Sequence, residues 1–175
     1  MEPRQPALSR PVAMRLAATE YDRCAEAFRF LSPAQWAAPT DCPAWDVRQM
    51  ATHMLGMAEM AASLRENLRQ QRKAAKVVAA RGCLYIDALT QLQVDERAGW
   101  TPERITERYA ARALKATAGR RRTPGFVRSR TMPQAQEING VTEPWTLGYL
   151  IDVILTRDRG CTGWTSPPPP ARRRG

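Results

Sequence analysis

Apolar residues recur along the chain at three- and four-residue spacing rather than in alternation, and that period predicts helices. In residues 12–31, Leu16, Tyr21, Cys24, Ala27, Phe28 and Leu31 form one stripe, with Arg15, Asp22, Arg23 and Glu26 between them. Ser32-Pro33 ends the run, and residues 34–44 read as a structured loop around Trp36. The clearest helix starts at Asp46, an N-cap whose carboxylate accepts from the open N–H groups of the first turn. Val47, Met50, Met54, Met57, Ala61, Leu64 and Leu68 then follow as one stripe, and charge takes over from Arg65 to Lys76. Residues 74–92 read as one helix or as two broken at Gly82. Thr101-Pro102 opens a further helix through Ile105, Tyr109 and Ala113, with Gly119 as its expected end. Residues 120–144 have no clean period and read as a long connection. Residues 145–159 form a last helix with Leu147, Leu150, Ile151, Ile154 and Leu155 inward. Four amphipathic helices without a convincing strand predict an all-α four-helix bundle.

Composition narrows this picture. The 175 residues suit one domain, and no apolar run approaches the length of a membrane span. The start of the chain has no secretory signal pattern, and the four cysteines stand far apart without a CxxC pair. Both features point to free thiols and a cytoplasmic location. Net charge is +10, and +7 without the Arg172–Arg174 run. The basic residues do not follow a helix-turn-helix or zinc-finger pattern, so nucleic acid is not the expected partner.

Chemistry concentrates in few residues. His53 is the single histidine. It lies about 60° off the centre of its helix's apolar stripe, at the edge of the bundle interior. Its spacing allows a carbonyl-bonded core histidine or a metal ligand. Asp158 follows the last apolar run and points partly inward, toward a salt bridge or a ligand role, and Asp152 shares its helix. Met50, Met54 and Met57 fall on the packing stripe itself. No cysteine has a base in sequence reach, which argues against a Cys nucleophile.

Four ordered blocks carry a resemblance. They are WAAPTDCPAWDVRQMATHMLG, DALTQLQVDERAGWTPERI, RRTPGFVRSRTMP and PWTLGYLIDVILTRD. Together they resemble the mycothiol-dependent maleylpyruvate isomerase family, within the DinB-like metal-binding bundles, over about residues 10–159. The resemblance implies a four-helix bundle over residues 12–159, and residues 1–11 read as a flexible arm, since the first ten carry two Pro and no period. The resemblance also implies a divalent metal, usually zinc, held by a His on the second helix and by an acidic residue and a His on the last. His53 and Asp158 match the first two, and the third position holds Thr162. Mycothiol is the implied co-substrate, used for cis–trans isomerisation or S-transfer on a small organic acid or electrophile. Arg121, Arg128 and Arg130 are the candidate substrate-binding cations, with a solvated basic loop as the plainer alternative. A metal-binding bundle without catalysis is the other implied reading.

The departure at Thr162 has a pattern. The family continues after TRD as WMHRVDI, where this chain reads Arg159 and then GCTGWTS. One added T before the codon of Gly160 allows the shifted frame to spell WMHRVDI at every position. Residues 160–175 are therefore expected to be out-of-frame text that forms a disordered tail.

Overall fold

The computed structural model describes residues 1–133, 135–138 and 140–160. Three long helices form its centre. α1 (Arg10–Phe30) and α3 (Val47–Ala62) both pack on α6 (Pro102–Arg122). The fourth rod begins at Thr146 as α8 (Leu147–Tyr149). It passes through a π-helical turn (Leu150–Ile154) and ends as α9 (Leu155–Gly160), packed on α1. The all-α expectation holds.

Between α3 and α6 the chain adds a helical pair, α4 (Leu64–Arg81) and α5 (Tyr85–Asp95), which packs on the other side of α3. Gly82 separates the two helices at φ 66°, a left-handed position that suits glycine.

Two apolar clusters follow from this layout. The larger joins Tyr21 and Phe28 of α1, Ala51, Leu55 and Ala58 of α3, and Ile105, Tyr109 and Ala113 of α6. The smaller joins Met60, Ala74, Ala88 and Leu89 between α3, α4 and α5.

Several expectations from the pattern are corrected. The α3 stripe ends at Ala61, because Ser63 breaks the helix and caps α4 through Glu66 N–H. Leu64 and Leu68 then belong to a separate helix and are exposed. Leu16 is exposed as well, and Ala13, Met14 and Ala17 take the buried side of α1. The loop at 34–44 opens with a short helix, α2 (Pro33–Trp36), closed by a Ser32/Gln35 capping box.

Gly119 does not end α6. A Cβ there would lie 1.9 Å from the Ala61 carbonyl oxygen, so the glycine is where α6 crosses α3 backbone to backbone. The connection at 120–144 contains α7 (Gly125–Arg128) and two three-residue strands. These are β1 (Gln136–Ile138) and β2 (Val141–Glu143), paired antiparallel with Gln136 opposite Glu143. The N-terminal arm is tied at Arg4, which exchanges backbone hydrogen bonds with Pro144 and Thr146 and pairs with Glu143.

Candidate functional site

Asp46 starts α3 with a capping box, its carboxylate accepting from Gln49 N–H at 2.7 Å. This fixes the helix two turns before His53. The His53 ring is half-buried and lies against the Trp45 indole, with ring centroids 5.3 Å apart. Its Nδ1 is 2.7 Å from Oε1 of Gln93, a fully buried side chain on α5. Gly56 makes this approach possible, since a Cβ there would come within 2.6 Å of the Gln93 side chain.

The surrounding bonds decide which ring nitrogen carries the proton. Gln70 on α4 reaches the Gly56 carbonyl oxygen at 3.3 Å and the Glu66 carboxylate at 2.8 Å. Both are acceptors, so Gln70 must turn its NH2 group toward them. Its Oε1 then accepts from Gln93 Nε2 at 2.8 Å. That leaves Gln93 Oε1 facing His53 as an acceptor, and Nδ1 donates to it. In the neutral imidazole the lone pair therefore sits on Nε2. This is the arrangement by which proteins set a histidine as a metal ligand, with the distal ring N–H held by an outer partner.

Beyond Gln70 the neutral amides give way to charge. Glu66 and Glu96 flank Arg69, each at 2.6 Å, and Lys73 adds a contact to Glu96 at 2.7 Å. The Arg69 and Lys73 bonds hold the Glu96 carboxyl down at about 2, and Arg69 lowers Glu66 as well. Nearby, Arg97 and Arg108 both pair with the buried Glu59, at 2.5 and 2.7 Å.

The other predicted residues fall as follows. Arg128 is bidentate with the fully buried Asp152 carboxylate, which the π-helical turn carries inward, and both its terminal nitrogens are used there. Arg121 and Arg130 are exposed, and both lend backbone carbonyls, to Arg10 and to Leu147 N–H respectively. The Asp158 side chain and residues 161–175, including Thr162, lie outside the described residues. Among the described residues no cluster of three or more His, Cys, Asp or Glu forms a metal cage. Of the implied ligand set, His53 fits by its tautomer. The Trp45 indole N–H beside it is buried with no hydrogen-bond partner among the described residues, a donor left over for a polar ligand atom.

Sequence reading missed Gln93, Gln70 and Gly56. Gln93 sits in the alternating run Leu92-Gln93-Val94, where a polar residue inside an apolar stretch is the signal that could have found it.

The profile of the mycothiol maleylpyruvate isomerase N-terminal domain matches residues 17–141, which is 125 of the 175. The chain belongs to this family. The mycothiol maleylpyruvate isomerase match takes in α3 with His53 and α5 with Gln93, and stops before the last rod. No curated protein and no solved structure matches the chain. No described helix is long and apolar enough to cross a membrane.

Proposed function

We propose that this chain is the metal- and mycothiol-dependent domain of a maleylpyruvate isomerase-type enzyme. We further propose that its site is impaired by a missing last ligand. The observation that carries the reading is the Gln93-fixed tautomer of His53, which presents Nε2 as a donor atom in a chain of this family. His53 and Asp158 would hold the cation, zinc by preference, and the third position falls on Thr162. When bound, such a cation keeps a coordinated thiol deprotonated at neutral pH.

The chain's own residues orient the reactants. Gln93 locks the His53 ring, and Trp45 offers its indole N–H to a polar atom of the thiol or substrate. Arg121 and Arg130 are exposed cations for a substrate carboxylate. Arg128, the third predicted cation, serves through Asp152 by fixing the segment around Arg130 against the last rod. The reaction is then reversible addition of the thiol to a conjugated double bond, rotation about the resulting single bond and expulsion of the thiol to leave the trans isomer, or S-transfer in which the thiol sulfur displaces a leaving group of the electrophile. Cys42 and Cys83, thiols outside any disulfide, suit the reducing cytoplasm such a cofactor needs.

Thr162 favours a second reading, a metal-binding bundle without catalysis. Zinc calorimetry separates the two. The chain as it stands should bind zinc more weakly than micromolar. A frame-restored version should bind at least 100-fold tighter and turn over maleylpyruvate with mycothiol. Tight stoichiometric binding by the unchanged chain would contradict the impaired site. Tight binding without turnover in the restored chain would favour the non-catalytic bundle.

A further inference from the structure

A cleft of about 980 Å³ opens where the end of α3, the length of α4, the end of α5 and the middle of α6 meet. Eight Arg and Lys side chains line it against three Glu. The carboxylates of Glu59, Glu66 and Glu96 are already bound by Arg69, Lys73, Arg97 and Arg108, with Arg112 3.8 Å from Glu59.

Three wall cations remain: Arg65, Arg72 and Lys76. Each is exposed and makes no hydrogen bond or ion pair among the described residues. With Arg69 they stand at spacings of 4, 3 and 4 along α4, so like charges share one face of one helix. Such an arrangement works against the helix unless an anion sits across it. Their concave setting concentrates the positive field, and the buried Arg97 Nε has no partner at the cleft floor. Trp100 forms one end wall, with the Arg104 guanidinium stacked 4.0 Å over its ring.

We propose that this cleft binds a small organic or inorganic anion carrying two or more phosphate groups. The volume suits a small molecule rather than a protein segment. The span from Arg65 to Lys76 is about 16 Å, too long for one carboxylate to satisfy. A chain of phosphoryl groups meets guanidinium forks and the Lys76 point charge in turn. The site is separate from His53, and its occupancy does not depend on zinc or thiol.

Calorimetry of the full chain with inorganic tripolyphosphate tests this. Saturable one-to-one binding is expected, at least tenfold tighter than citrate. The triple variant Arg65→Ala, Arg72→Ala, Lys76→Ala should lose it by tenfold or more, with a melting temperature of the anion-free protein that is unchanged or raised. The triple variant Arg15→Ala, Arg23→Ala, Arg29→Ala on α1 removes the same charge and should change it by less than twofold. Equal losses in both triples would show a general charge effect and overturn the site. Absence of saturable binding, citrate binding as tightly as tripolyphosphate, or preference for a short DNA duplex would each overturn it as well.

Discussion

The two sides of α3 are built on opposite plans. Toward α6 the helix shows apolar residues, three alanines (Ala51, Ala58 and Ala61) and Leu55, against Tyr109, Ala113 and Ala116. Toward α4 and α5 it shows His53, Gly56, Met57 and Met60 against two buried amides. Each side uses a glycine for close approach. On the α6 side Gly119 lets two backbones touch, and nothing there can swing away. On the α5 side Gly56 makes room for a side chain whose bonds set a proton. One seam holds the bundle together. The other fixes the state of its one imidazole.

Substitutions should separate the two. Gly119→Ala is expected to have the largest effect, about 3 kcal/mol or more, because its Cβ meets the Ala61 carbonyl and the helices must part. Thermal unfolding would show a drop of about 10 °C. Gln93→Leu strands a buried acceptor on Gln70 and removes the partner of His53 Nδ1. It should cost about 2 kcal/mol by urea denaturation and release the ring's fixed tautomer. Gly56→Ala should cost about 2 kcal/mol, because the new Cβ meets Gln93 Cβ at 2.7 Å and that atom moves only with α5, with helix propensity offsetting part of the strain. If Gly56→Ala proved more damaging than Gly119→Ala, the contrast between the seams would be wrong.

The charged cluster beyond Gln70 adds a pH dependence. Glu96 sits at about 2 in the folded chain against an ordinary 4.5, so its stabilising contribution is complete above pH 4.5. It is lost as pH falls from 4.5 toward 2. With part of the cluster open to water, about 1–2 kcal/mol is at stake. Glu96→Gln should flatten the stability–pH curve over that window, which acid titration of the melting temperature would reveal.

Much of the fold was legible in the periodicity. Asp46 and Thr101 cap helices as their side chains predict, and the α1, α3 and α6 stripes make the main core. What was not legible depends on contacts distant in sequence. Gly119 reads locally as a helix end, and only the Ala61 backbone across the bundle explains it. Leu64 and Leu68 continue the α3 period but sit past Ser63, whose cap on α4 outcompetes it. The strand pair at 136–143 is too short to show a period. For the site, His53 stood out as the lone imidazole, while its meaning rests on Gln93 and Gln70, 40 and 17 positions away in an added helical pair.

Nitrogen-15 NMR of the imidazole tests that meaning most directly, since the chain's one histidine gives a single pair of ring signals. In the neutral form of the metal-free protein, Nδ1 should carry the proton and Nε2 should show the shift of an unprotonated, pyridine-type nitrogen. Gln93→Leu should abolish that preference. A native protein with its proton on Nε2, or with both tautomers exchanging freely, would contradict the account.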